Sequence, residues 1–397
     1  MRIAFVCGEY PPGPHGGIGT MTRLLARALA EAGHAVRVAG IYAPSYPAPD
    51  YEEDEGVRVW RLREPDYRLG WVPARLALYR MIEAWAAAGE IDLVEAPDYQ
   101  GYTAGWPALP VPVVVRLHGS ASYFAAETRR PIKRTAFWIE SRALRRADYW
   151  CSVSRYTADR TKSLFRLGGG PHAVLHNPVD ADDPVRSFHR SARRIVFSGT
   201  LTAKKGVIPL VRAWPTVVER RRDAELHVFG KDGRTEDGRS MRSHLEGLLP
   251  RAARDSVLFH GHVDRRTVLD SLHSARAAIF PSYAEAFALA PLEAMASGCP
   301  TISTLRGSGP EMIEHGRDGL LVDPDRPEEI AEAILSVLGD DALARRLGAA
   351  GRRRAKESFS LPAIVARNEE FFAGCIRAFR PQNVVAHPCR ADFPPTA

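Results

Sequence analysis

Short runs of consecutive apolar residues, each followed by an amphipathic helical segment, recur along almost the whole chain. Residues 3–7 form the first run, and residues 20–32 then carry apolar side chains at helical spacing. Strands that are apolar throughout, rather than alternately, are typical of parallel sheets covered by helices on both faces. The pattern therefore predicts open α/β sheets with Rossmann-like, doubly wound connections.

The rhythm pauses at a polar, turn-forming stretch, Asn177–Pro184, and then restarts. A chain of 397 residues suits two domains of ordinary size. We therefore predict an N-terminal domain over residues 1–178, a linker, and a C-terminal domain over residues 179–375. The last helix of the second domain could pack on the first domain. Residues 376–397 are predicted to form a flexible tail.

The predicted elements follow from the apolar runs and their spacing. In the first domain we expect strands at 3–7, 36–41, 93–95 and 111–117, and helices at 20–32 and 78–88. In the second we expect strands at 194–198, 225–229, 256–260, 277–281, 301–304 and 320–322, and helices at 207–220, 241–249, 265–275, 291–297, 327–338 and 343–357.

Composition narrows the class of protein. The formal net charge is +7, and the basic residues are spread along the chain, which argues against a nucleic-acid-binding tail and suits anionic substrates or a membrane surface. The five cysteines show no ligand spacing, so we expect reduced thiols, no structural zinc and a cytoplasmic location. No run approaches the ~18–20 apolar residues of a membrane-spanning helix, so any membrane role would be peripheral.

The most informative segment runs from Ser282 to Pro300, between a predicted strand and a predicted helix. Its loop of small residues leads into a helix N-terminus, where free amides and the helix dipole favour a phosphate. Glu285 and Glu293 stand before and inside that helix. Two carboxylates flanking a phosphate site suit the hydroxyls of a sugar and of a ribose.

This segment resembles the retaining GT-B glycosyltransferases of glycosyltransferase family four, whose hallmark is a Glu-x7-Glu motif. The resemblance extends to about residue 375 and implies two Rossmann-like domains facing a cleft. It implies that Glu285 holds the transferred sugar and Glu293 the ribose, with Phe287, Ala288 and Leu289 beside the donor. Ala286 and Ala288 stand where the family usually has glycines, which bears on donor affinity and donor choice.

A second segment, Phe197–Gly206, resembles the family's Gly-Arg-Leu…Lys-Gly loop. The resemblance places Gly199 and Lys205 at the donor diphosphate, where a lysine acts as a point charge. Thr200 stands where the family has arginine, so either Lys204 or an arginine elsewhere in the chain would supply the missing charge.

The first domain offers Pro11–Gly19, which has the wrong spacing for a dinucleotide fingerprint. It resembles a family loop that faces the donor phosphate and the acceptor. The resemblance implies that Gly16 and Gly17 lie beside the donor. His118 follows the strand at 111–117, at the end where open α/β sheets bind ligands, and the family's matching histidine lies near the reacting sugar.

Further expectations concern four other places in the sequence. Asp98 and Tyr99 would line the acceptor side, and Glu311 resembles part of a family element beside the base and ribose. Asp323-Pro324-Asp325 imitates a metal-binding DxD, but it starts a helix that Asp325 would cap, so no metal is expected there. The basic segment 129–146 is either a solvated helix face or a contact with anionic lipid at the inner membrane face.

These observations predict a metal-independent retaining glycosyltransferase that needs no cofactor. The donor would be a UDP- or GDP-linked sugar, and catalytic roles fall to His118, Lys205 and Glu285. The acceptor is left open as a glycan, a lipid-linked group or a small molecule, in polysaccharide, glycolipid or glycosylated natural-product biosynthesis. Two alternatives remain: a nucleotide-sugar epimerase of the same fold, and an inactive sugar-nucleotide-binding subunit, which the departures at Thr200 and Ala288 keep open.

Overall fold

The computed structural model describes residues 1–181 and 191–381, which form two compact α/β units. The first unit contains residues 1–153, 157–175 and the chain from 365 onward, and the second contains residues 154–156 and 176–364. The grouping thus changes after Leu175, whereas the predicted domain boundary lies after residue 178. Residues 182–184 of the predicted linker and residues 382–397 of the predicted tail lie outside the described residues.

The first unit is built on an eight-stranded sheet in the order β3-β4-β2-β1-β5-β6-β7-β8. All neighbouring strands are parallel except the edge pair β3 and β4. The strands are β1 Arg2–Val6, β2 Ala35–Tyr42, β3 Tyr51–Asp54, β4 Val57–Arg63, β5 Leu93–Pro97, β6 Val113–Leu117, β7 Tyr149–Ser152 and β8 Ala173–Val174. The helices along this part of the chain are α1 Gly17–Glu31, α2 Trp71–Ala87, α3 Ala121–Glu127, α4 Arg134–Arg146 and α5 Arg155–Phe165, with a 3-10 turn at Tyr99–Gly101.

The second unit is built on a six-stranded sheet, all parallel, in the order β11-β10-β9-β12-β13-β14. The strands are β9 Arg194–Ser198, β10 Glu225–Phe229, β11 Val257–Gly261, β12 Ala277–Phe280, β13 Thr301–Thr304 and β14 Leu320–Val322. The helices are α6 Val207–Arg220, α7 Met241–Leu248, α8 Arg251–Arg254, α9 Arg265–Ser274, α10 Leu289–Ala296, α11 Gly309–Met312, α12 Pro327–Gly339 and α13 Asp341–Phe359, with a 3-10 turn at Ala203–Lys205. The last described helix is α14, Leu361–Ala378.

The central strands explain why the sequence folds in this way. Every residue of β6, β12 and β13 is buried, as expected for parallel strands covered on both faces. The predicted doubly wound α/β architecture of both halves is confirmed. The edge hairpin of β3 and β4 was not predicted, because β3 is mostly acidic and arginines interrupt the apolar residues of β4, so neither forms a continuous apolar run.

The last helix packs on the first unit over much of its length. The ring of Phe372 meets Phe5 edge-on at 6.3 Å, and Glu369 pairs with His34 at 2.7 Å. Residues 376–378, predicted as part of the flexible tail, are the end of this helix. Among the residues that the structure describes, no helix is long and apolar enough to cross a bilayer.

Both sheets reverse their winding direction at one place. In the first sheet β1 lies between β2 and β5, and in the second β9 lies between β10 and β12. Ligands of open α/β proteins bind beyond the carboxyl ends of the strands at such a switch point. The loops after β1, β5 and β6, and those after β9 and β12, are therefore where each unit would carry a site.

Candidate active site

In the second unit, the loops that follow β9 and β12 lie side by side. The backbone N–H of Tyr283 donates to the carbonyl of Lys204 at 2.8 Å. Gly206 makes the close approach possible, because it adopts a φ of +71° and a Cβ there would lie 1.8 Å from the carbonyl oxygen of Pro281. Two segments that are about 80 residues apart in sequence therefore form one surface at the switch point.

Lys205 and Glu285, both predicted site residues, are in direct contact on this surface. The ammonium Nζ of Lys205 donates to Oε1 of Glu285 at 2.6 Å. Burial alone would raise the pKa of the Glu285 carboxyl, but the charges of Lys205 and Lys204 outweigh it, and the pKa lies below its ordinary value. Glu285 is therefore ionised at neutral pH, and it faces a cation that a bound diphosphate could share.

The helix that follows the loop begins without a side-chain cap. Ala288 precedes α10 with φ −75° and ψ 134°, and its side chain accepts no hydrogen bond from the first turn. The helix therefore opens at Leu289 with amides that can receive an anion. A cavity beside it is lined by Lys205, Glu285, Ala288 and Pro291. The alanine at position 288 adopts a backbone conformation open to any L-residue.

Glu293 lies inside α10, close to the surface. Its Oε1 accepts a hydrogen bond from Nε of Arg265 at 2.8 Å. Arg265, at the start of α9, was not predicted from sequence, because nothing in its surroundings marks it as a partner of a residue 28 positions later. This arginine fixes the direction of the carboxylate that is predicted to hold the ribose.

The other predicted donor-binding residues of the loop after β9 are Gly199 and Lys204. Lys204 is half-buried, and burial lowers the pKa of its ammonium group. Thr200 is exposed, and the N–H of Gly199 is already used by the carbonyl of Phe229 at 2.9 Å. Lys205 is therefore the better placed of the two lysines to carry a full charge toward a ligand.

Phe287 was predicted to lie beside the donor, but its side chain packs inside the protein. Its ring packs against His176 and Phe359 at centroid distances of 4.7 and 5.4 Å, so it is part of the core. Its carbonyl accepts from Nδ2 of Asn177 at 2.7 Å, and the neighbouring carbonyl of Ala286 accepts from the hydroxyl of Ser154. These contacts hold the loop, so only the backbone of Phe287 remains for donor binding.

The carboxylate of Glu311 is already hydrogen-bonded to the backbone. Its two carboxylate oxygens accept the backbone N–H groups of Arg155 and Tyr156 at 2.8 and 2.7 Å. Burial raises the pKa of this carboxyl, but His176 and the two amides lower it more, and the net pKa is below the ordinary value. The predicted contact with the donor would have to compete with these bonds.

In the first unit, the glycine-rich loop joins β1 to α1. Gly16 precedes the helix and Gly17 is its first residue, and a Cβ on Gly17 would meet nothing within 4 Å. Gly19 is constrained by the backbone, because an added Cβ would lie 1.9 Å from the carbonyl oxygen of Glu9. The Glu9 carboxylate accepts the N–H of Gly19 at 2.8 Å, so an acid that was not predicted as a site residue already occupies part of this helix N-terminus.

Asp98 and His118 directly follow two neighbouring strands, β5 and β6, and are joined by a hydrogen bond. The N–H of His118 donates to Oδ1 of Asp98 at 2.8 Å. Burial, aided by Arg116, lowers the pKa of His118 to about 3, so the imidazole is neutral at physiological pH. Asp98 is fully buried, which raises its pKa to about 7. Asp98 therefore positions the strand end, while Tyr99 is exposed beside it.

The aspartates of the DxD-like segment are paired with a cation. Arg306 binds Asp323 at 2.9 Å and also binds Asp325. Asp325 does not cap α12, which begins after Arg326 without a side-chain cap, because its carboxylate is turned to Arg306. In the described ranges, no group of three or more acidic, histidine or cysteine residues could hold a metal ion.

Comparison with known proteins identifies the family of this chain. The family model for "Glycosyltransferase Family 4" matches residues 15–183, and that for "Glycosyl transferases group 1" matches residues 192–340. The glycogen synthase of Mycobacterium tuberculosis is 28% identical to this chain, with 96% of each chain covered.

Solved structures agree on the fold. Sucrose-phosphate synthase from Thermosynechococcus elongatus matches with a TM-score of 0.76 at 22% identity, covering 95% of this chain and 99% of that one. Anabaena HepE, in complex with UDP and glucose, matches with a TM-score of 0.70 at 18% identity, covering 94% of this chain and 99% of that one. These structures show the GT-B fold, and the two family models, over residues 15–183 and 192–340, show that the chain belongs to glycosyltransferase family four.

Proposed function

We propose that the protein transfers a sugar, with retention of anomeric configuration and without a metal ion, from a nucleoside-diphosphate donor to an acceptor hydroxyl. The observation that carries the proposal is the contact between Lys205 and Glu285 at the open N-terminus of α10. A cation and free amides suit a diphosphate, and an ionised carboxylate beside them suits the hydroxyls of a sugar.

The reaction would proceed by loss of the diphosphate. The bond between the anomeric carbon and the diphosphate oxygen breaks, and its electron pair leaves with the diphosphate. Lys205 and the amides of α10 stabilise the growing negative charge. The acceptor oxygen bonds to the same face of the sugar, and its proton passes to the departing phosphate. Glu285 would hold the sugar, while neutral His118 would donate or accept one hydrogen bond without carrying charge.

The donor class has support from relatives. The structure of HepE contains UDP and glucose, and the M. tuberculosis relative is a glycogen synthase. We propose a UDP- or GDP-linked sugar as donor for this chain, with no further cofactor. The acceptor would be a glycan, a lipid-linked group or a small molecule. We also propose peripheral contact with an anionic membrane, supported by the basic segment 129–146.

The proposal is tested by thermal unfolding with a panel of nucleoside-diphosphate sugars. A bound donor at 100 times its dissociation constant adds ~2.7 kcal/mol to the free energy of unfolding. Mass analysis of the products then separates three outcomes. A glycosylated acceptor supports transfer, an isomerised donor shows an epimerase, and stabilisation with an unchanged donor, whichever acceptor class is supplied, shows a silent binding subunit.

Glu293→Ala should weaken binding of nucleoside diphosphate, because it removes the carboxylate that Arg265 directs. A hydrogen bond to a charged group is worth ~1.5–3 kcal/mol, or roughly 10- to 150-fold in the dissociation constant. Isothermal titration with UDP and GDP measures the change. Glu332→Ala, which removes an exposed ion-paired carboxylate on α12, is the matched control and should bind as the parent does. Equal affinity in both variants would remove Glu293 from the ribose site.

Chelation of divalent ions should leave turnover unchanged. The charge of the leaving group would be met by Lys205 and by backbone amides, and the aspartates of the DxD-like segment are held by Arg306. Initial rates with and without EDTA, after dialysis against the chelator, measure this. Loss of activity that magnesium or manganese restores would contradict the metal-independent mechanism.

A further inference from the structure

The loops at the carboxyl edge of the first sheet contain no lysine or arginine where the sheet reverses its winding. The connections after β1, β2, β5 and β6 are residues 7–16, 43–50, 98–112 and 118–120, and all four lack these side chains. The chain as a whole has 54 of them in 397 residues, so their absence is a property of this edge and not of the composition. The edge that was predicted to face the acceptor therefore lacks the side chains that most often bind phosphate.

Three arginines approach these loops from neighbouring elements. Arg61 on β4 is buried and pairs with Glu52, and Arg63, at the end of the same strand, pairs with Asp50 at 2.6 Å. On α2, Arg75 donates to two backbone carbonyls of the connection after β5, at 2.9 and 2.6 Å. These three guanidinium groups are therefore already bound to other groups of the protein.

Two helices that begin at this edge have carboxylates of the protein itself at their N-termini. At α1, Oε1 of Glu9 accepts the N–H of Gly19 at 2.8 Å. At α3, which follows β6, the two carboxylate oxygens of Glu140 accept the N–H groups of Ala121 and Ser122 at 2.9 and 3.1 Å. A helix N-terminus attracts an anion through its free amides and its dipole. One that already faces a carboxylate attracts a second anion much less.

The second unit has the opposite character at its own switch point. Helix α10 begins without a side-chain cap, and Lys205 lines the cavity beside it. These groups suit the anionic diphosphate of a donor. At the first sheet the corresponding groups are carboxylates and the uncharged imidazole of His118, which suit hydroxyls instead.

Glu9 is the carboxylate that reaches solvent among those described at this edge. It is half-buried, whereas Asp98 and Glu140 are 0% and 1% exposed. A Cβ added to Gly16 would lie 3.3 Å from both carboxylate oxygens of Glu9, so the carboxylate rests against the glycine-rich loop. Within the described residues, no cation pairs with Glu9 and its Oε2 accepts no hydrogen bond. An ionised carboxylate only accepts hydrogen bonds, so this oxygen suits a hydroxyl and opposes a phosphate.

We propose that the acceptor group bound at this edge is an uncharged sugar or polyol, and that Glu9 binds it by accepting a hydrogen bond from one of its hydroxyls. The charge of Glu9, in loops without lysine or arginine, disfavours acceptors that carry a phosphate near the reacting hydroxyl. The proposal deepens the transfer reaction proposed above and rests on it. Glu9 would select and hold the acceptor and would take no part in breaking the bond to the donor.

The test measures transfer by the full chain, from the donor that the nucleotide-sugar panel identifies, to acceptors that differ only by one phosphate. The probes are monosaccharides, oligosaccharides and polyols, each with its monophosphate, such as glucose with glucose 6-phosphate and inositol with inositol 1-phosphate. We expect kcat/KM to be at least tenfold higher for the neutral member of each reacting pair. Glu9→Gln keeps an oxygen that can accept the N–H of Gly19 but removes the charge. It should lower this preference at least fivefold and raise KM for the neutral acceptor, while the dissociation constant of the nucleoside diphosphate stays within twofold.

Glu31→Gln makes the same chemical change at the exposed last residue of α1 and should keep the preference and turnover of the parent. Thermal stabilisation by the nucleoside diphosphate shows that both variants are folded. Transfer to a phosphorylated acceptor with kcat/KM equal to or above that of its neutral partner would overturn the proposal, and so would an unchanged preference in Glu9→Gln. Both of these results leave the transfer reaction intact. An isomerised donor, or a donor unchanged with every acceptor, contradicts the transfer reaction itself, and this proposal with it.

Discussion

Lys205→Ala should lower turnover at saturating donor by about 10²- to 10³-fold, which is typical for the loss of a preorganised electrostatic stabiliser. Negative charge on the diphosphate grows as the bond to the sugar breaks, so a cation beside it stabilises the transition state more than the bound donor. The effect should fall at the severe end of this range, because Thr200 supplies no charge at the position where the family motif to which this loop was likened has arginine. Steady-state kinetics over a range of donor concentrations measure it.

The pH dependence of the same variant gives a second measurement. Lys205 is the main charge that keeps the pKa of Glu285 below its ordinary value against the effect of burial. Without that charge, the pKa of Glu285 rises, and the carboxylate is protonated at a higher pH. The acidic limb of the activity profile should therefore move to higher pH in Lys205→Ala.

Two controls isolate the role of charge. Lys205→Arg keeps a cation near Glu285 and should retain much more activity than the alanine variant. Lys356→Ala removes an exposed lysine of α13 and should leave turnover unchanged. If Lys205→Ala recovers the parent's turnover at saturating donor, the lysine only holds substrate, and Lys204 or an arginine outside the loop carries the catalytic charge.

The sheets were more predictable than the site because of how parallel strands are buried. Strands β9 and β13 begin and end at the predicted residues, since their central residues are buried between helices and form a readable pattern. The helix α10 begins two residues before the predicted Pro291, because helix ends depend on local geometry that propensity does not define. The charged hairpin of β3 and β4 has no such signal.

The site depends on contacts that no local pattern encodes. Both Lys205 and Glu285 were predicted from their own motifs, yet their ion pair arises only because β9 and β12 are neighbours in the sheet. The partners Arg265 and Glu9 could not be predicted, since each acts on a residue brought near by the fold. The roles of these residues in transfer remain predictions until the variants are measured.

Arg116→Met should lower the free energy of unfolding by about 3–5 kcal/mol, as expected when one partner of a buried ion pair is removed. Arg116 on β6 makes a bidentate contact with Glu95 on β5, with bonds of 2.8 and 2.7 Å, and the two side chains are only 1% and 4% exposed. It also donates to Asn368 on α14. Methionine fills similar space but leaves the Glu95 carboxylate buried without a counter-charge. Urea denaturation, followed by circular dichroism, measures the loss.

A double variant separates the effect of the unpaired Glu95 charge on stability from the effect of lost packing. Arg116→Met with Glu95→Leu removes both charges, and it should recover most of the stability lost in the single variant, because burying an ion pair is itself expensive. Arg220→Met breaks a pair in which both side chains are more than half exposed, so it should cost less than about 1 kcal/mol. If the double variant is no more stable than Arg116→Met, the uncompensated charge is not the cause. The contact with Asn368, and through it the packing of α14 on β6, would then account for the loss.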